Sequence, residues 1–233
     1  MEVMKKADDL RIPFTWEERR PVLLDRAFYI PGHYKDHEKW GRLNWSDEKL
    51  FGNDRPVVIE FCCGNGQWIG EMAKKNPDIN WIGVDKLFER SRKLWAKIHR
   101  EKISNLFVAC TEANLFIRHY VPPKSIHAIH VNFPDPWPKR RHEKNRLVRR
   151  EFLENLSKIL KPGALAHFVT DDAAYLQWML EELSSCKKWQ SVYPFPYYTT
   201  HLADFGRSFF NDLWLEQGRT IYHVKYVYDD ESR

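Results

Sequence analysis

Cysteine is scarce in these 233 residues: only Cys62, Cys63, Cys110 and Cys186 occur, and no two are spaced Cys-x-x-Cys. That spacing fits no zinc template, so no metal is expected. Reduced thiols packed as small hydrophobes are the plain reading. Glycine and proline number 10 and 13, too few for a collagen-like or low-complexity chain. No apolar run approaches the ~18 residues that would cross a bilayer, so no membrane partner is expected. Met1 to Arg11 is charged and has no apolar stretch behind it, which argues against a secretory signal and for a cytoplasmic protein. What is plentiful is aromatic. Trp 10, Tyr 10 and Phe 14, in a chain that is 43% hydrophobic, can build a sizeable core and exclude global disorder.

The net charge of +5 is modest, but its distribution is uneven. Lys139, Arg140, Arg141, Lys144, Arg146, Arg149 and Arg150 stand together against the single acid Glu143, whereas Asp229 to Arg233 is acidic. A basic block on a mildly charged protein points to a polyanionic partner at one place.

Residues 1–50 show no clear period and carry many aromatics, among them Phe14, Trp16, Phe28, Tyr29, Tyr34, Trp40 and Trp45. They are read as an N-terminal arm with short helices, packed on a domain spanning 51–233. From Pro56 the pattern is regular. Apolar runs at Pro56 to Phe61, Asn80 to Asp85, Leu106 to Cys110, Ile126 to Asn132 and Ala164 to Thr170 read as strands. Helical patterns fall between and after them, at Gln67 to Asn76, Leu87 to Glu101, Ala113 to Tyr120, Leu147 to Leu160 (stopped by Lys161-Pro162-Gly163) and Ala173 to Leu183. Tyr222 to Val227 alternates and is expected as an edge strand. Strand and helix alternating at this spacing imply right-handed crossovers and a doubly wound, mostly parallel α/β sheet.

In such a sheet, ligands bind beyond the carboxyl ends of the strands. There the sequence places Glu60-Phe61-Cys62-Cys63-Gly64-Asn65-Gly66 after the first regular strand and Asp85 at the end of the next. Glycines in that turn let a ligand approach the backbone, and an acid about 20 residues on can bind both hydroxyls of a ribose. This describes a nucleoside-containing cofactor. NAD would favour Gly-x-Gly-x-x-Gly, but Gly64-x-Gly66 is followed by Ile69, with Gly70 one residue late. S-adenosylmethionine has no pyrophosphate to cradle and carries a cationic amino group, which Glu60 is placed to meet.

The strand ending at Asn132 leads into Phe133-Pro134-Asp135-Pro136-Trp137-Pro138-Lys139. Prolines at 134, 136 and 138 each fix φ, so the loop is stiff. It is expected at the same carboxyl edge as Gly64 and Asp85. A stiff loop holding an acid, an aromatic plane and a cation can orient a planar base, and the basic block follows at once. Phosphate contacts there would supply affinity and positioning, with identity read elsewhere.

Asn132 to Arg146 resembles the Phe-Pro-Asp-Pro-Trp-x-Lys-x-Arg-His-x-Lys signature of the bacterial tRNA (guanine-N7-)-methyltransferases. Val169-Thr170-Asp171-Asp172 is similar to that family's Ala-Thr-Asp. Ser208-Phe209-Phe210-Asn211 stands where the family has Thr-x-Phe/Tyr-Glu, and Gly218-x-x-Ile221-Tyr222 follows. The likeness runs from about Val57 to Val227.

The resemblance implies a Rossmann-like, S-adenosylmethionine-dependent methyltransferase acting on N7 of a tRNA guanine, at variable-loop position 46. Glu60, Gly64, Gly66, Asp85, Glu112 and Asp135 would serve the cofactor, with Asp135 also catalytic. Lys139, Asp171, Ser208, Phe209, Phe210 and Asn211 would contact the target nucleotide. Arg141, His142, Glu143, Lys144, Asn145 and Arg146 would lie on the tRNA, with the protein a monomer or homodimer. Three departures stand out: Cys62 replaces a glycine, Glu112 an Asp, and Asn211 a Glu. Two other readings stay open: a methyltransferase for another RNA or DNA base, since an Asn-x-Pro-type loop after the fourth strand also serves exocyclic amines, and an RNA-binding module whose catalysis has decayed, prompted by Cys62 and Asn211.

Overall fold

The computed structural model describes residues 5–11, 20–206 and 208–230, so Phe14, Trp16 and the last residues of the acidic terminus lie outside the described residues. The chain divides into two compact units, Met1–Pro122 and Pro123–Arg233.

The first unit is built on five strands: β1 (Val22–Leu24), β2 (Ala27–Tyr29), β3 (Val57–Phe61), β4 (Asn80–Asp85) and β5 (Leu106–Cys110). Their order is β1-β2-β5-β4-β3. Only β1 and β2 are antiparallel; β2, β5, β4 and β3 run parallel to their neighbours. Every residue of β3, β4 and β5 is buried. Parallel strands covered on both faces read as unbroken apolar runs, which is why these three match the sequence expectation to within a residue. Helix α1 (Gln67–Lys75) links β3 to β4, α2 (Phe88–Arg100) links β4 to β5, and α3 (Ala113–His119) follows β5. The N-terminal segment differs from the helical arm expected. It has single turns of 3-10 helix at Ala7–Asp9 and His37–Lys39, and it adds β1 and β2 to the sheet, Ala27 lying opposite Val108.

The second unit contains β6 (Ile126–Asn132), α4 (Arg150–Ile159), β7 (Leu160–Thr170), α5 (Ala173–Ser184), β8 (Trp189–Ser191), α6 (Phe209–Glu216) and β9 (Tyr222–Tyr228). The strand order is β6-β7-β9-β8, with β6 and β7 parallel and the other pairs antiparallel. Two expectations are corrected here. β9 is an interior strand, because Trp189–Ser191 pairs along its outer side. Lys161-Pro162-Gly163 does not follow the helix as a loop: the chain passes from Ile159 directly into β7, with Gly163 taking φ +79°. No helix among the described residues is long and apolar enough to cross a membrane.

Three histidines sit side by side on β6, β7 and β9. The His130 and His167 ring centroids are 5.6 Å apart, and His167 Nε2 lies 3.2 Å from His223 Nδ1. Removal from water, reinforced by the Lys225 charge, lowers the pKa of His130 to about 3 and of His223 to about 4. His167 is driven well below its usual value by burial first and then by His130, His223 and Lys225. All three are therefore neutral in the fold, while in the unfolded chain they titrate near 6.5. Their contribution is complete above the unfolded value and is lost as pH falls toward the folded ones. The urea midpoint should thus fall steadily between about pH 6.5 and pH 4. Replacing His130 by Phe should flatten that dependence, and a slope equal to wild type would show that the trio does not govern acid stability.

Candidate functional site

In the first unit, the turns after β3, β4 and β5 lie next to one another. Glu60 is opposite Gly83 in the register of β3 and β4, and Asp85 is opposite Cys110 in that of β4 and β5. The turn after β3 bends sharply because Cys62, Gly64 and Gly66 all take positive φ, +60°, +56° and +71°. Glycine enters that region without steric penalty, whereas Cys62 is held there against its preference. The backbone nitrogen of Cys63 donates to Val84 O at 3.2 Å, and that of Gly66 to Cys63 O at 2.9 Å. The two glycines differ in what surrounds them. A Cβ on Gly66 would lie 2.2 Å from Leu94 Cδ1, so Gly66 is required by packing against α2, whereas a Cβ on Gly64 would meet nothing within 4 Å. Open space beside the Gly64 backbone is what a ligand needs to reach it.

Two buried acids stand near the ends of the adjoining strands β3 and β4. Glu60 is 2% exposed and Asp85 5%. Asp85 accepts from the backbone nitrogen of Gly64 at 3.0 Å (Oδ2) and of Leu87 at 2.8 Å (Oδ1), with Arg90 Nη1 3.7 Å away. It therefore braces the glycine turn and opens α2 at once. Thr111 N donates to Asp85 O at 2.9 Å, and Glu112 follows directly. The Glu112 carboxylate caps α3, accepting from Asn114 N at 3.1 Å and Leu115 N at 2.9 Å. Glu60, Gly64, Gly66, Asp85 and Glu112 are thus brought together at one edge. Burial pushes the Cys63 thiol well above its usual range, and burial pushes Cys110 to about 11. Both remain protonated near neutral pH and are poor nucleophiles.

In the second unit, the loop after β6 is stiff for reasons beyond its prolines. Phe133 and Trp137 take φ +49° and +46°, and Phe133 N donates to Val169 O at 2.9 Å. Asp135 and Lys139 are exposed in this loop. The Phe133 ring packs 6.2 Å from Phe210, which stacks 6.1 Å from Trp214. Arg219 lies 3.9 Å over the Trp214 ring and bonds Asp171 Oδ2 at 2.6 Å. The loop carrying Asp135, the strand end carrying Asp171 and the helix carrying Phe210 and Asn211 are joined by that series of contacts. Ser208 is buried at the start of α6, Asn211 is half-buried, and Phe209 is 58% exposed. Asp172 is spoken for, since it caps α5 by accepting from Tyr175 N at 2.7 Å.

The basic block forms a 3-10 helix, Arg140–Asn145, ahead of α4. A shallow groove of about 590 Å³ runs along it, with Arg140, Arg141, Lys144, Arg149 and Arg150 among its lining residues. Arg140, Arg141, Lys144 and Asn145 are exposed. Two residues expected on the RNA have other employment. Arg146 is 6% exposed: Nε donates to Pro136 O at 2.9 Å, and the guanidinium lies 4.7 Å over Trp178 and 5.5 Å over Tyr175. Glu143 is an anion facing Arg146 at 3.6 Å, so it attracts no phosphate. His142 packs edge-on to Trp137 at 5.7 Å, with Arg141 Nε 3.2 Å from its ring nitrogen. Sequence reasoning also missed Trp214, Trp178 and Arg219. Gly218, just past the end of α6, is the one signal that could have placed Arg219.

The family match over residues 54–224 makes the chain a methyltransferase, and its fold agrees. Solved structures with this fold include the 16S rRNA methyltransferase KamB (TM-score 0.58, 15% identity, 78% of this chain and 94% of that one). Another is an antibiotic-related methyltransferase (TM-score 0.53, 20% identity, 75% and 89%). The family described as "Putative methyltransferase" matches residues 54–224. The tRNA (guanine-N7-)-methyltransferase of Chlamydia felis (strain Fe/C-56) is 40% identical over 223 residues, 95% of this chain and 97% of its own. That of Bacillus cytotoxicus is 32% identical over 219 residues, 91% and 96%. The chain belongs to the tRNA (guanine-N7-)-methyltransferase family.

The place of Arg146 has a measurable consequence. Arg146→Ala leaves the Pro136 carbonyl without its donor and uncovers Trp178, and should destabilise the protein by about 1–3 kcal/mol. Lys144→Ala, on the exposed face, should be silent within about 0.5 kcal/mol. Equal denaturation midpoints for the two variants would refute the assignment.

Proposed function

We propose that this protein transfers the methyl group of S-adenosylmethionine to N7 of a guanine in tRNA, at variable-loop position 46. The observation that carries the reading is the open glycine turn braced by buried Asp85, with buried Glu60 near the end of the preceding strand, in a chain whose relatives are named for this reaction.

Bound there, S-adenosylmethionine supplies an electrophilic methyl group on a sulfonium. Asp85 is suited to the ribose hydroxyls and Glu60 to the cationic amino group, with the open face of Gly64 admitting the ligand. Guanine N7 carries an in-plane lone pair and no proton, so no base need act before attack. The work left to this chain is alignment, which can supply roughly 7–11 kcal/mol of barrier reduction. Stiffness around Asp135 serves that purpose. The product base is cationic, so the carboxylates of Asp135 and Asp171 stabilise the charge that develops. Neutral and buried, Cys63 and Cys110 are unsuited to act as covalent nucleophiles.

Unmodified tRNA incubated with protein and S-adenosylmethionine, then digested to nucleosides, should yield 7-methylguanosine by mass analysis. A different methylated nucleoside would refute the reaction, and loss of the product from tRNA lacking guanine 46 tests the position. In the same assay Asp135→Ala should lower turnover about 10²-fold while the melting temperature holds. Activity within a few-fold of wild type would remove Asp135 from the chemistry.

The exposed cations set the salt dependence. If Arg140, Arg141 and Lys144 each neutralise a phosphate, replacing all three by Ala should flatten the log–log salt slope of tRNA affinity by about two to three units. An unchanged slope would mean that the block is only a solvated surface.

A further inference from the structure

Helix α6 ends in a way that aims one side chain. Gly218 takes φ +70° and donates to Leu215 O at 2.9 Å, and Arg219 N donates to Trp214 O at 2.9 Å. This pair of bonds is the Schellman stop, in which the residue after the left-handed glycine folds back over the last turn. Arg219 holds that position. Its guanidinium accordingly lies over the Trp214 ring at 3.9 Å, and from there Nη1 reaches Asp171 Oδ2 at 2.6 Å.

Exposed ion pairs usually contribute little, because two long side chains must be ordered to make them. Here the ordering is already done. The backbone stop fixes where Arg219 starts, the indole fixes its plane, and Asp171, with a side chain 14% exposed, follows directly from the end of β7. A planar cation that stacks and donates at the same time is a task for arginine; a lysine ammonium cannot do both.

We propose that Arg219 is a positioning residue for the target base. It fixes the carboxylate plane of Asp171 and ties α6, which carries Phe210 and Asn211, to the end of β7. Among the described residues no hydrogen bond is made by Asp171 Oδ1, and Arg219 holds that oxygen in one orientation for the donors on the guanine edge. The proposal rests on the reading of Asp171 as a base contact.

The experiment is a double-mutant cycle on the full chain with tRNA and S-adenosylmethionine, comparing wild type, Arg219→Ala, Asp171→Asn and the double variant. Arg219→Ala should lower kcat about tenfold and leave the KM for tRNA within about twofold, because affinity resides in the basic surface. In the Asp171→Asn background the same change should cost less than about twofold, since the interaction is already gone. Arg219→Lys should recover only part of the loss. Four outcomes overturn the proposal. An equal loss in both backgrounds would make Arg219 merely structural. A raised KM with a shallower salt slope would make it a phosphate contact. Arg219→Ala within twofold of wild type while Asp171→Asn is severe would free Asp171 of any dependence on it. A silent Asp171→Asn would sink the base-contact reading, and this inference with it. Should Arg219→Ala melt well below wild type, Arg219→Gln, which keeps a donor and some stacking, takes its place in the cycle with the same criteria.

Discussion

The architecture of the second unit hangs on one enclosed cation. Arg146 lies between the proline loop and α5, with a carbonyl on one side, two aromatic faces beneath and Glu143 beside it. A guanidinium out of water needs its charge answered, and here Pro136 O takes the Nε donor while Glu143 and two aromatic faces offset the charge. Its position decides the rest. Because Arg146 holds Pro136, the loop from Asn132 to Lys139 cannot drift, and Asp135 is presented from a fixed frame. Because it turns inward, the neighbouring Arg140, Arg141 and Lys144 stay on the outside. One stretch of sequence therefore yields both a brace and an electrostatic surface.

Acidic residues are divided between architecture and chemistry in a similar way. Glu112 and Asp172 close the amino ends of α3 and α5. Asp85 is architectural as well, since its carboxylate orders Gly64 and Leu87, and in the proposed reaction it also meets a ribose. A carboxylate has lone pairs for both. Asp171 and Asp172 are adjacent in sequence but separate in task, one bound to Arg219 and the other to the helix it starts.

Much of this was legible in the sequence, and the reasons for the remainder are physical. Strands β3, β4, β5 and β6 match expectation to within a residue because buried parallel strands are apolar runs between punctuating turns. β1, β2 and β8 were not visible, since three residues carry no period. Without β8, β9 had no outer neighbour and read as an edge. Pro162 and Gly163 are ordinary helix stops, yet here they lie inside a strand. At the site, residue type and spacing pointed to Glu60, Gly64 and Asp85 at adjoining strand ends, whereas Glu112 came from the family resemblance alone. Arg146 misled because a run of cations suggests a uniformly wet face, whereas a flat guanidinium can stack on an indole. Arg219 stayed hidden because its part depends on where a glycine folds it, and that is a property of three dimensions.

The brevity of β8 has a consequence for the molecule in crowded solution. A strand at the rim of a sheet offers unpaired backbone groups to any passing chain, and long flat rims seed aggregation. β9, seven residues long and largely buried, would be such a rim if it were bare. Covering it with a three-residue strand shortens the available template, and β1 closes the outer side of the first unit's order with three residues more. The longer strands are thereby shielded from strand-to-strand recruitment, so that a protein rich in aromatic residues is protected from templating its own precipitation.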